Sequence, residues 1–311
     1  MSDKGNKNSD MAREYTVEDW LGKDNTLGID IFNKKYRYKD ETFLGWVHRV
    51  SGGDLELKKL ILEKKFLFGG RILSNRGIPD EEKKTTLSNC YVIASPEDSI
   101  ESIFDSGKKI ARTFSYGGGC GIDLSNLSPN GAKVRNAAET TSGVVSFMDY
   151  YSMITGLISQ HGRRGALMIT LSCDHPDLEE FIKVKTDLNR VTKANISIRV
   201  TDEFMAAVRY DRNHVMEFTR PETGEVIRKE VPARKLFKLI AETNWDYAEP
   251  GMLFWDTITK HSMLDGVGEY RYVSTNPCSE IPLNAGGACL LGSLNISEFV
   301  IYQHSGSYGM D

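Results

Sequence analysis

The sequence predicts an α/β protein led by a small helical front piece. Three observations predict it. Apolar residues recur at three and four between Glu41 and Phe68; beyond Cys90, long amphipathic stretches alternate with short apolar runs; and the 311 residues are 40% hydrophobic and 26% charged, enough for a sizeable core. Strands that alternate with helices imply a mainly parallel sheet, because each parallel step needs a crossover.

The elements follow in order. Residues 1–25 are polar apart from a short start near 17–21. Phe43, Trp46, Val47, Leu57, Leu60, Ile61 and Phe66 keep helical spacing, interrupted by Ser51-Gly52-Gly53. Helices are predicted over 98–114, 143–160, 176–185, 202–210 and 233–247, and strands over 120–124, 166–171, 195–200, 215–218 and 252–255. Asp98 and Ser99 open the first of these helices with Glu101 in its first turn; His175-Pro176-Asp177 places a proline and a carboxylate where a helix start accepts them. Four glycines in Gly117-Gly118-Gly119-Cys120-Gly121 mean that the backbone either turns with positive φ or is approached closely.

Composition removes several function classes. The net charge of −4 and the lack of a Lys/Arg block leave no field for nucleic acid. The longest apolar run falls well short of the roughly 18 residues of a membrane span, and Met1 to Asp10 is polar, so a cytoplasmic protein is expected. The five cysteines, Cys90, Cys120, Cys173, Cys278 and Cys289, include no C-x-x-C pair and fit neither a disulfide framework nor a zinc knuckle. No metal ligand is assigned.

The most informative stretch is Asn276-Pro277-Cys278-Ser279-Glu280-Ile281-Pro282-Leu283, followed by Ala288-Cys289-Leu290-Leu291-Gly292-Ser293-Leu294-Asn295. An amide two residues before a cysteine and a carboxylate two after put a thiol, a donor and a general acid/base in one proline-stiffened loop. The other reading is a tight turn with Glu280 solvated and Cys278 buried.

These residues resemble the large catalytic chain of ribonucleotide reductases. The resemblance runs through Phe68-Gly69-Gly70-Arg71-Ile72-Leu73, Leu87-Ser88-Asn89-Cys90-Tyr91-Val92, Asp98-Ser99-Ile100-Glu101-Ser102-Ile103, Ser142 to Met148 and Gly162 to Ala166. It implies a mainly helical region over 1–86, then over 87–311 the first half of a ten-stranded α/β barrel with effector-site helices and a central finger loop. It also implies roles. Cys278 is the thiyl-radical cysteine that takes hydrogen from the ribose, Glu280 the base for the 3′-hydroxyl, and Asn276 the amide that holds substrate hydroxyls. Cys90 and Cys289 are the reducing pair that ends as a disulfide. Ser74 corresponds loosely to a substrate-phosphate residue; Asp98, Arg135 and Arg164 correspond to the site of a deoxynucleoside triphosphate effector. Cys120 and Cys173 match no reactive position and are expected to be buried.

Cys289 follows Cys278 by eleven positions, a short spacing that resembles the adenosylcobalamin-dependent branch, where the cofactor's radical oxidises the cysteine directly. The resemblance further implies a ribonucleotide substrate, a homodimer, an external thiol reductant, and a second polypeptide supplying the C-terminal half, without which this chain is inactive. Two alternatives stand beside it: a non-catalytic module that binds a deoxynucleotide and dimerises, and an unrelated α/β fold whose cysteines merely pack.

Overall fold

The computed structural model describes residues 14–135, 137–160, 163–264, 266–302 and 308–310, with the backbone alone for those of 159–164 and 301–310. Contacts divide the described residues into two units: one runs to Leu87 and takes in the stretch from Leu291 on, the other is Ser88–Leu290.

In the first unit, α1 (Val17–Leu21) begins at a capping box, Thr16 accepting from Asp19 N and the Asp19 carboxylate from Thr16 N. Then come α2 (Thr26–Ile31) and a π-type turn over Phe32–Tyr36. Next, α3 (Phe43–Ser51) stops at Gly52, whose φ is +67°, and α4 (Leu55–Leu62) restarts from the Asp54 cap. The glycine pair therefore ends a helix as its sequence implies. Phe43 stacks on Trp46 at 5.8 Å and Phe32 meets Trp46 edge-on at 5.2 Å; these rings centre the core. Phe66 departs from its helical spacing. It begins β1 (Phe66–Phe68), which pairs antiparallel with Gly292–Leu294, a partner from the far end of the sequence that local periodicity does not show. α5 (Gly70–Asn75) follows.

The second unit contains, in order, β2 (Cys90–Val92), α6 (Ile100–Ser115), β3 (Gly119–Asp123), α7 (Val144–Leu157), the short pair β4 (Ser159–Gln160) and β5 (Arg163–Arg164), β6 (Leu167–Ser172), α8 (Leu178–Lys183), β7 (Asn195–Val200) and α9 (Asp202–Arg209). It continues with β8 (Asn213–Thr219), β9 (Val226–Pro232), α10 (Ala233–Tyr247), β10 (Gly251–Phe254), α11 (Trp255–Lys260), β11 (Tyr272–Thr275), β12 (Pro282–Asn284) and β13 (Ala288–Cys289). Six strands form one sheet in the order β10-β7-β6-β3-β2-β13, parallel throughout except for β13. β3 is buried along its whole length and β6 nearly so, as expected of strands covered on both faces. The predicted 215–218 strand is not part of this sheet. As β8 it forms a separate hairpin with β9, turned at Gly224; Ile227 and Val231 of β9 are half-buried, while Arg228, Lys229 and Glu230 are exposed.

Asp177 shows how local expectation and tertiary use differ. Its carboxylate makes no cap bond to α8; it accepts from the backbone N–H groups of Asn130 and Val144, each at 3.0 Å, and so caps the start of α7. His175 adds a bond to the Leu127 carbonyl at 2.8 Å. At the far end, β14 (Gly292–Leu294) is the partner of β1, and β15 (Val300–Tyr302) pairs with β16 (Tyr308–Met310). Among the described residues no helix is long and apolar enough to cross a membrane.

Candidate active site

The Asn276 to Ile281 loop is the tip of the β11–β12 hairpin. Asn276, fully buried, closes it: its N–H donates to the Ile281 carbonyl and its Oδ1 accepts from Ile281 N, both at 3.1 Å. Ser279 sits in the left-handed region at φ +70° and donates its N–H to the Asn276 carbonyl at 3.0 Å. The other end of the Asn276 amide, Nδ2, is buried without a hydrogen-bond partner among the described residues. A buried donor left unpaired costs about 1–3 kcal/mol, so the site holds an unmet demand for an acceptor.

The hairpin lies against β3 where the glycines are. A Cβ on Gly121 would stand 1.8 Å from the Thr275 carbonyl oxygen, and one on Gly119 would stand 3.0 Å from the Pro277 ring. The glycine run thus satisfies both readings of it: Gly117 turns at φ +90°, and Gly119 and Gly121 admit the hairpin.

Strand β7 clamps the same hairpin with two donors that sequence reasoning missed. Asn195 Nδ2 donates to the Pro277 carbonyl at 3.0 Å, and Arg199 Nη1 to the Val273 carbonyl at 3.2 Å. Asn195 and Arg199 lie four residues apart on one face of β7, and their acceptors, Val273 on β11 and Pro277 in the loop beyond it, are four apart as well. Arg199 also pairs with Asp123 at 3.0 Å; Thr170 donates to Asp123 at 2.8 Å and lies 3.1 Å from the Ser274 hydroxyl. No local motif marks these residues, because every partner lies on another element.

The thiols meet beside the hairpin. The β13–β2 register sets Cys289 directly opposite Cys90. Burial, the neighbouring Cys289 and the charges of Cys278 and Glu280 push the Cys90 thiol up to about 12. Burial and the same carboxylate and cysteine also raise Cys278, whose residue is nonetheless exposed, as is Glu280. Three sulfurs and a carboxylate from 199 positions of sequence are therefore within electrostatic reach of one another. At neutral pH both raised thiols keep their protons. Cys120 and Cys173 are buried.

A second polar site lies in the same unit. A cavity of about 560 Å³ is lined by Asp98, Ser128, Arg135, Thr141, Arg220 and Glu222, among others. Asp98 accepts from Ser128 N at 2.9 Å and from its hydroxyl; Arg220, 3% exposed, lies 3.6 Å from Asp98, 3.1 Å from Ser128 Oγ and 3.0 Å from Glu222. Ser99 caps α6 next to it by accepting from Ser102 N. Arg135 stands exposed on the cavity wall. Arg164 falls on β5, and its side chain lies outside the described residues. Ser74 belongs to the other unit, where its hydroxyl donates to the Lys35 carbonyl at 2.9 Å. Arg220 had no sequence signal beyond a charge before a turn proline.

A mainly parallel α/β domain with a cysteine hairpin laid across its sheet defines a class of fold, and comparison supplies the family. The family model for the ribonucleotide reductase barrel domain matches residues 88–310. The chain belongs to the ribonucleotide reductase family. A vitamin B12-dependent ribonucleoside-diphosphate reductase of Thermoplasma acidophilum is 38% identical over 217 residues, 69% of this chain and 28% of the relative. A vitamin B12-dependent ribonucleotide reductase of Streptomyces clavuligerus is 32% identical over 310 residues, 91% of this chain and 31% of the relative. The ribonucleoside-diphosphate reductase large chain of Cryptosporidium parvum is 27% identical over 278 residues, 79% and 34% of the two chains. The chain thus spans about a third of the length of these relatives.

Proposed function

We propose that this chain is the N-terminal part of a ribonucleotide reductase catalytic chain, with residues 87–311 forming the first half of the barrel and the β11–β12 tip its finger loop. The observation that carries the reading is the convergence of Cys90, Cys289, Cys278 and Glu280 beside a hairpin whose buried Asn276 amide has a donor to spare. Asn276 Nδ2 binds a ribose hydroxyl oxygen. Glu280 takes the 3′-hydroxyl proton, and Cys278, as a sulfur radical, takes the 3′ hydrogen atom from the same carbon. Cys90 and Cys289 give up two electrons and two protons, ending as a disulfide while the 2′ oxygen leaves as water, and Cys278 and Glu280 then return the hydrogen atom to the 3′ carbon and the proton to the 3′ oxygen. The protonated state of Cys90 at neutral pH suits this, since it acts through S–H.

The thiol that must be oxidised is the exposed one, whereas Cys289 is buried and Cys90 partly covered; this fits a radical source that approaches from outside. Adenosylcobalamin, when bound, supplies that one-electron oxidation of Cys278, in keeping with the names of the vitamin B12-dependent relatives. Asp98 and Arg135, joined by Arg220 and Ser128, hold a deoxynucleoside triphosphate effector in the second cavity, and Arg164 is the further effector residue that the family resemblance implies. The partners are a ribonucleotide, an external thiol reductant, a polypeptide that supplies the C-terminal half, and a second copy seated on α6 and α7, which expose Phe104, Met153 and Leu157. A cytoplasmic location suits all of them.

The test is turnover: this chain mixed with the remainder of the barrel, adenosylcobalamin, a ribonucleotide and a dithiol produces deoxyribonucleotide. Turnover retained by Cys278→Ala sinks the reading. The pre-built Asp98 cavity favours a second reading, a non-catalytic module that binds a deoxynucleotide and dimerises. Deoxynucleotide binding by the chain, lost in Asp98→Ala and without turnover in any mixture, would select it.

A further inference from the structure

We propose that Cys173, Asp174 and His214 form a site for a divalent cation of the zinc type, with water as the fourth ligand. Cys173 Sγ lies 3.4 Å from Asp174 Oδ1, His214 Nε2 lies 3.2 Å from the same oxygen, and the three ligand atoms all fall within 4.8 Å of one another. A tetrahedral zinc ion with bonds of about 2.0–2.3 Å keeps its ligand atoms roughly 3.3–3.6 Å apart, so the trio closes around an ion once His214 Nε2 exchanges its 3.0 Å bond to the Cys173 carbonyl for the metal. Sulfur, imidazole nitrogen and carboxylate oxygen together suit zinc rather than calcium or magnesium, which take oxygen alone.

The surroundings are those of a supported site. Thr201 Oγ1 stands 3.7 Å from the Cys173 sulfur, and the Ser172 hydroxyl donates to the second Asp174 oxygen at 3.3 Å, so two ligands have an outer partner. Cys173 is 0% and His214 5% exposed, while the Asp174 side chain is 48% exposed; an ion enters over the carboxylate and keeps a water there. Burial pushes the Cys173 thiol up to about 12, so in the absence of an ion it stays protonated; binding releases that proton to solvent. His214 belongs to β8, the hairpin strand that leads to Arg220 in the Asp98 cavity, and Cys173 directly follows β6. The ion would bolt the hairpin to the end of the sheet.

Cobalt as a probe reads the site directly. The purified 311-residue chain, titrated with Co²⁺, is expected to take one equivalent with a sulfur-to-cobalt charge-transfer band and tetrahedral d–d absorption, both displaced by Zn²⁺. Cys173→Ser should abolish the charge-transfer band. Asp174→Asn, at a half-exposed position that keeps the fold intact by circular dichroism, should weaken Zn²⁺ binding by at least about tenfold. The double variant Cys278→Ser/Cys289→Ser should bind as the parent does. Failure to take up an equivalent, or a band that survives Cys173→Ser and vanishes in the double variant, overturns the proposal.

Discussion

The two polar sites of the second unit are built on opposite plans. At the Asp98 cavity the groups are already paired: Asp98 with Ser128, Arg220 with Ser128 and Glu222, and Ser99 with the first turn of α6. At the hairpin tip they are left open: Asn276 Nδ2 and Thr275 Oγ1 are buried without partners among the described residues, Cys278 is exposed, and two thiols face each other with no disulfide between them. A satisfied network holds its shape whether or not a ligand is present. An unsatisfied one stores a demand that only a bound molecule meets, and it keeps that demand in place by clamping the backbone from below through Asn195 and Arg199.

The comparison breaks most sharply at Cys278. Cys278→Ala should reduce ribonucleotide turnover of the assembled enzyme to background, while thermal unfolding of the chain stays within about 1 °C of the parent, because an exposed side chain carries little packing. Next in size is the clamp. Arg199→Ala leaves the 3%-exposed Asp123 carboxylate without its cation and should cost about 3–5 kcal/mol in urea unfolding. Gly121→Ala forces a methyl into the Thr275 carbonyl and should cost at least about 2 kcal/mol; it should also slow oxidative closure of Cys90 and Cys289, followed by thiol titration.

The second site should respond more mildly. Asp98→Ala is expected to weaken deoxynucleotide binding by about ten- to thirtyfold in calorimetry and to leave Cys278 alkylation untouched, which separates the two sites. The smallest effect belongs to Glu280. Its negative charge helps hold the Cys278 thiol above the ordinary range, so Glu280→Gln lowers that pKa, increases the thiolate fraction at a given pH, and should speed iodoacetamide labelling about two- to fivefold between pH 7 and 9.

Much of this architecture was legible in the sequence, and the exceptions share a cause. Strand β7 and helix α10 fall on their predicted bounds, because their periodicity and flanking turns are local. The Gly117 to Gly121 run announced a close approach without naming what approaches. Phe66 was misread because a three-residue strand has no period of its own; 215–218 is a strand as read, but its hairpin partner β9 went unseen because Arg228, Lys229 and Glu230 break up its apolar pattern. The hairpin cysteine stood out by composition, whereas Asn195, Arg199, Asp123 and Arg220 gain their meaning chiefly from atoms 47 to 122 positions away. Their chemistry is tertiary from the outset.

The facing cysteines of β2 and β13 carry one more consequence. β13 is the last strand of the six-stranded sheet and the only one that runs against its neighbour. Opposed residues on such strands hold their Cβ atoms about 4.5–5.5 Å apart, and a disulfide draws them to roughly 3.8 Å. Every oxidation would therefore rivet the outermost rung of the sheet and every reduction would slacken it, so the border of the fold itself would record how many electrons the protein holds.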